Sequence, residues 1–241
     1  MKEYRSCAGC LQWLSSNSRP DLAAGTSLMQ KGSTEVSNLK EMYSLIRYAR
    51  ETALVGITIK PVPLYEILVC AYGDSSWANA AGLRSQTGYI VLVTSREALY
   101  GREPASIMDW GSNRTNRVVR STLAAEAAAA DKAIDRAVYV SYMFDEAIYR
   151  RPATLRQSTV PVIAITDCRS LFDAVQQMTP SLEEKRTILD ITSIREHIAA
   201  NNFRWVPSAG QHADGLTKLD RSLMQRLTAL MQSPYVRLQE D

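Results

Sequence analysis

The sequence predicts an α/β chain, a mixed sheet of five strands flanked by helices and preceded by a small helical segment. Two observations carry this. Apolar residues recur at helical spacing over residues 37–50, within a first segment that looks different from the rest, whereas beyond residue 62 short apolar runs bounded by turn signals alternate with long helical patterns. The later segments come in the order βββαβαβα, hairpin strands first and crossover units afterwards, the pattern of a mixed α/β layer.

In the first segment, residues 37–50 (SNLKEMYSLIRYAR) place Leu39, Met42, Tyr43 and Ile46 on one helical stripe. Upstream, SRPDLAAGTSLMQKG reads as a turn opening a short helix, with Pro20 at a tolerated early position and Gly32 near its end. Pro61 and Pro63 mark a joint, so the expected division is 1–61, a domain over 62–233 and a tail over 234–241. Within the domain, EILVCAYG, TGYIVLV and ASIMDWGS read as strands separated by turn signals such as NAAG and SREALYG. A helix over 122–148 follows, and its Ala-rich opening lets it approach a sheet closely. VPVIAITD is a fourth strand, CRSLFDAVQQM and residues 182–200 are helices, NFRWVPS is a fifth strand, and the last helix spans 212–232.

Composition narrows the function classes. The 241 residues are 46% hydrophobic and 22% charged, enough for a substantial core. A net charge of +3 is too mild to name a polyanionic partner by itself. No window is long and apolar enough to span a membrane, and the N-terminal residues match a secretory signal poorly. Four cysteines do not make a disulfide scaffold, which points to a reducing compartment and an intracellular location, cytoplasmic or nuclear. Cys7 and Cys10 form a C-x-x-C with no second pair, and read as incidental thiols.

Four acids occupy telling places. Asp74 ends the first strand, Glu126 lies in the first turns of the long helix, Asp167 ends the fourth strand, and Asp214 opens the last helix. Taken singly, each reads as a turn former or helix cap. If strands one and four are neighbours, the four converge on one sheet edge, where mutual repulsion calls for hard cations bound through oxygen, such as a pair of Mg²⁺ ions. Two ions about 3.5–4 Å apart stabilise the attacking and leaving oxygens of phosphodiester cleavage.

The motifs YGDSSWA, RSQTGYIVLV, IMDWGSNRTNRVV and RSTLAAE, then ITDCRSLFDAV, LDITSIREHI and HADGLTKLD, resemble in that order the ribonuclease H domain of copia-type LTR retrotransposon Pol polyproteins. NSRPDLAAGTSLM and LKEMYSLIRYARETALVGITI resemble the C-terminal end of the preceding reverse transcriptase. The resemblance covers roughly residues 11–220. It implies an RNase H-like fold and a metal-dependent endonuclease that cuts the RNA strand of RNA/DNA hybrids. Asp74, Glu126, Asp167 and Asp214 match the catalytic, metal-binding acids, with Mg²⁺ as cofactor and Mn²⁺ as its substitute. The polymerase portion of such a polyprotein is the implied partner. No polymerase activity is expected of this chain, which carries no Y-x-D-D motif, although residues 1–60 are expected to help bind hybrid.

The chain departs from the family pattern at Ser76, at Ala127 and at Cys168 and Arg169, which stand where Asn and Gln are usual. A non-catalytic hybrid-binding remnant of a reverse transcriptase is the alternative reading. A DNA nuclease or transposase of related fold would carry its glutamate on a late helix, whereas Glu126 precedes the second strand-end acid. Arg114, Arg117 and Arg120 precede the long helix with no acid among them; they read either as phosphate contacts for the hybrid or as a solvated loop, with Ser121 or Thr122 as helix cap. His212 is a candidate for proton transfer or product release, and His197 reads as an amphipathic-face residue. Trp77 and Trp110 are left unassigned between base stacking and core.

Overall fold

The apolar run from Ile67 becomes β1 (Ile67–Ala80), the long central strand of the computed structural model, which describes residues 2–29, 36–80, 84–150, 158–177 and 184–238. β2 (Arg84–Ser95) returns antiparallel to it and β3 (Glu103–Arg114) antiparallel to β2. After α4 (Thr122–Tyr149), β4 (Val162–Thr166) lies parallel to β1 on its other side, and β5 (Phe203–Trp205) parallel to β4. The mixed α/β sheet expected from the sequence is present, with β1 and β4 as neighbours. Among the described residues it has six strands rather than five, in the order β5-β4-β1-β2-β3-β6. The sixth, β6 (Tyr235–Val236), pairs with Glu103 and Pro104 of β3. Residues 235–238, expected in a tail, therefore close the sheet edge, and the amide of buried Leu238 donates to the Ala98 carbonyl at 2.8 Å.

Both sheet faces are covered, which is why the central strands read as unbroken apolar runs. Ile67, Val69 and Ala71 point to α4, with Ala130, Ala133, Ile134 and Ala137 against them. Leu68, Cys70 and Tyr72 point the other way, to Leu216 and to Leu227, Leu230 and Met231 of α7 (Arg221–Gln232). α5 (Arg169–Gln176) and α6 (Lys185–His197) complete the α4 side, where Leu171, Ile191 and Ile194 are fully buried. Ser121 caps α4 as expected, its hydroxyl accepting from the Ala124 amide at 3.1 Å.

The N-terminal segment holds α1 (Lys2–Asn17), α2 (Ala23–Met29) and α3 (Val36–Glu51). Leu11, Leu22, Met29, Met42 and Leu45 form a cluster with Met224 of α7, so buried packing crosses the joint at residue 62. The Arg-Pro-Asp stretch supplies the polar fastening. Arg19 and Asp21, both buried, form a bidentate pair at 2.8 and 2.7 Å, and Arg19 also donates to the carbonyl and hydroxyl of Thr52 at 3.0 and 2.7 Å. Tyr48 and Thr228 of α7 share a hydrogen bond at 2.8 Å beside it. Removing one partner of such a pair strands the other charge out of water. Asp21→Ala is therefore expected to cost about 3–5 kcal/mol, and Arg19→Met/Asp21→Leu together much less, as read from urea midpoints.

Gly32, the Ala81–Gly82 end of the NAAG turn, Met178, residues 182–183 and residues 239–241 lie outside the described residues. Among the described helices none is long and apolar enough to cross a membrane.

Candidate active site

Asp74 does not end its strand. β1 continues through Ser75 and Ser76, opposite Thr87 and Gln86, because β2 offers an antiparallel partner that far. The parallel ladder to β4, however, stops at Tyr72–Ile165, so Asp74 stands just past the seam, where the sheet opens on that side. Two glycines bring other elements onto this spot. A Cβ on Gly73 would meet the Ala129 carbonyl oxygen at 2.7 Å, so α4 rests directly on the β1 backbone. A Cβ on Gly88, the cross-strand partner of Asp74, would meet Leu216 Cβ at 2.7 Å and Thr217 Cγ2 at 2.8 Å.

The other three acids come to the same end of the sheet. Asp167 follows β4 directly, and its carbonyl accepts from Trp205 Nε1 at 3.0 Å. Glu126 sits in the second turn of α4, within reach of the Ser75 backbone amide. Asp214 lies in a 3₁₀ turn, His212–Leu216, and not at the start of the last helix. The residue capping α7 is Asp220, whose carboxylate accepts from the amides of Ser222 and Leu223 at 2.8 and 3.1 Å. That frees Asp214 for the acid cluster.

The electrostatics follow from burial and crowding. Burial pushes the Asp74 carboxyl up to about 6; Thr217 and Lys218 oppose this, while Asp214 and Asp167 add to it. Burial again, with repulsion from Asp74 and Asp167, drives Glu126 up to about 9. Glu126 Oε2 is buried with no hydrogen-bond partner. Asp74 accepts from the Thr217 hydroxyl, and Asp214 pairs with Lys218 at 2.6 Å.

Hard oxygen donors, an orphaned buried carboxylate oxygen and two acids raised by burial and, less, by acidic neighbours are what a divalent cation would relieve, so the chemistry of the donor set fits one. Among the described residues no set of three or more His, Cys, Asp or Glu is placed to hold one ion. Thr217 and Lys218 engage two of the acids instead.

Sequence reading missed Gln211, Thr217 and Lys218. Gln211 is buried and ties three parts of the site together, donating to the Gly73 carbonyl at 3.0 Å, reaching Asp167 Oδ1 at 3.5 Å, and accepting from the Ala213 amide at 3.1 Å. Nothing in its sequence neighbourhood marks it. Thr217 and Lys218 lie inside the HADGLTKLD motif, which was the available signal. His212 packs its ring on Tyr72 with centroids 4.8 Å apart, and burial, with Arg226 nearby, lowers its pKa to about 4. It is neutral at neutral pH and is half-buried, packed into the fold against Tyr72. His197 is exposed on α6, its ring nitrogen 2.8 Å from the Ser193 carbonyl.

The three arginines divide. Arg117 is ion-paired with Asp190 of α6, whereas Arg114 and Arg120 are exposed. Trp77 is half exposed beyond Asp74. Trp110 points the other way, its Nε1 donating to the Ser15 carbonyl of α1 at 2.6 Å. Cys168, beside Asp167, is half-buried with its thiol 3.3 Å from Ser170 Oγ.

No protein-family profile matches the sequence. Among solved structures the chain is similar to RNase H1 from the halophilic archaeon Halobacterium salinarum at 16% identity and a TM-score of 0.42, over 62% of this chain and 94% of that one. It is similar to the prototype foamy virus RNase H domain at 14% identity and a TM-score of 0.35, over 67% of this chain and 91% of that one. It also overlays on a foamy viral protease–reverse transcriptase in complex with RNA/DNA hybrid at 14% identity and a TM-score of 0.39, spanning 26% of that chain. At these TM-scores the overlaps are partial and say nothing of chemistry.

Proposed function

We propose that the chain is a divalent-cation-dependent endonuclease that hydrolyses the RNA strand of RNA/DNA hybrids, the nuclease part of a retrotransposon-type reverse transcriptase polyprotein. The observation that supports it is the gathering of Asp74, Glu126, Asp167 and Asp214 at one end of the sheet from four separate elements, where burial first, and acidic neighbours after it, raise Asp74 and Glu126. Folding tolerates such a cluster at a cost, which points to use. These four residues would hold Mg²⁺, or Mn²⁺ in its place. When bound, two such ions supply the charge that stabilises the attacking and leaving oxygens.

The chain's own residues set the stage for that chemistry. β1 and Thr217 fix Asp74, while Gln211 holds Asp167 against the Gly73 backbone. α4, resting on Gly73, carries Glu126 to the edge. Arg114 and Arg120 are the two members of the arginine stretch exposed for phosphate contact, since Arg117 already pairs with Asp190. Arg114→Ala/Arg120→Ala is expected to weaken hybrid binding alike for every sequence and to flatten its salt dependence by up to about two phosphate equivalents. An unchanged slope in a salt titration assigns both to a solvated loop.

A second reading, a non-catalytic hybrid-binding remnant, draws on the ion pair of Asp214 with Lys218. Incubating the chain with labelled RNA/DNA hybrid and labelled duplex DNA in one Mg²⁺ reaction separates the classes. Loss of the RNA strand alone supports the nuclease, binding without cleavage supports the remnant, and cutting of the duplex supports a DNA nuclease.

A further inference from the structure

We infer that Lys218 is a built-in counter-ion: its ammonium group holds the Asp214 carboxylate in the ion-free protein and must let go for a divalent cation to bind there. The inference rests on the proposal that these carboxylates take such cations.

The geometry is asymmetric in a way that suits exchange. Lys218 Nζ lies 2.6 Å from Asp214 Oδ1, yet the Lys218 side chain is 46% exposed and that of Asp214 only 11%. The carboxylate is fixed by the His212–Leu216 turn, packed on β2 through Gly88, while the ammonium end can swing into water without moving the backbone. Thr217, one residue earlier, gives Asp74 a hydroxyl, which satisfies one oxygen but neutralises no charge. The positive field of Lys218 also reaches Asp74 and Glu126. Lys218 therefore does two opposing things. It lowers the repulsion among the acids before an ion arrives, and it repels and sterically competes with the ion that replaces it.

The test uses the full chain freed of ions with EDTA and compares the parent with Lys218→Met and Lys218→Arg by calorimetric titration with MnCl₂ and MgCl₂ and by thermal melts. Lys218→Met is expected to melt lower than the parent without ions, to bind Mn²⁺ about tenfold tighter, and to gain more in midpoint when ions are added; Lys218→Arg, which keeps the charge, stays within about threefold of the parent. If the parent binds ions and Lys218→Met binds them no tighter, the counter-ion role is overturned while the nuclease reading stands. If the parent binds no divalent ion, both fall. Should Lys218→Met be unfolded without ions, its refolding is followed by circular dichroism as MnCl₂ is added. Refolding below the concentration that saturates the parent supports the role, and failure to refold at that concentration overturns it.

Discussion

Asp74→Asn is expected to lower hybrid cleavage by about four orders of magnitude, the scale of losing one member of a catalytic set, while the fold persists. The substitution keeps the shape that β1 and Thr217 hold, and removes the charge from the carboxylate buried most deeply at the sheet edge. Its effect on stability has a definite sign. The folded protein holds Asp74 at about 6 against an ordinary 3.8, and Glu126 at about 9 against 4.5. Between those limits the native state binds more protons than the unfolded chain, so stability without ions falls as pH rises, from about 4 to 6 for Asp74 and on towards 9 for Glu126. Asp74→Asn removes the first contribution and relieves Glu126 of one repelling neighbour. Without ions at pH 7–8 the variant should therefore melt above the parent, depend less on pH, and gain less from Mg²⁺. A variant that cleaves as fast as the parent, or that melts below it across this range, would contradict the assignment.

The second large effect is expected at Gly73. Ala there would drive its methyl group into the Ala129 backbone of α4, with oxygen at 2.7 Å and carbonyl carbon at 2.9 Å, neither of which can rotate aside. Either α4 lifts or β1 bends. The expected cost is about 3 kcal/mol or more by urea denaturation, against about 0.5 kcal/mol or less for Gly101→Ala, where a Cβ meets nothing within 4 Å. Because Glu126 lies one turn before Ala129 and Ala130 on the same helix, the fraction that folds should also cleave more slowly. Equal stability of the two glycine variants would mean that α4 does not rest on β1 as described.

These two positions illustrate what sequence can and cannot carry. The runs over residues 67–72, 89–93 and 162–165 are legible because both faces of the sheet are covered there, so each run is apolar throughout. Ser121 is legible as a cap because capping is local. Asp74 is legible as a charge at the end of an apolar run, yet the extent of β1 beyond it depends on β2, a partner that only the fold supplies. The turn holding Asp214 looks like a helix start because Asp220, the true cap, stands six residues later in the same polar stretch. Gln211 acts only through Gly73 and Asp167, both distant in sequence, and so leaves no local mark. The helices before residue 62 and the sheet domain after it are joined by the Arg19–Asp21 pair and Met224 through contacts about two hundred residues apart, which no local pattern announces. α1 is not read from the sequence, although Tyr4, Cys7, Leu11 and Leu14 recur at helical spacing and pack into the N-terminal cluster.

The claim at the centre of this account is that four carboxylates at one sheet edge form a nuclease centre for hybrids. The most direct measurement is a time course with the intact chain, Mg²⁺ and a hybrid labelled separately on each strand. The account predicts internal cuts in the RNA strand, an intact DNA strand, and no cutting once EDTA is added. An RNA strand that stays whole with both Mg²⁺ and Mn²⁺, while circular dichroism finds the chain folded, would contradict it.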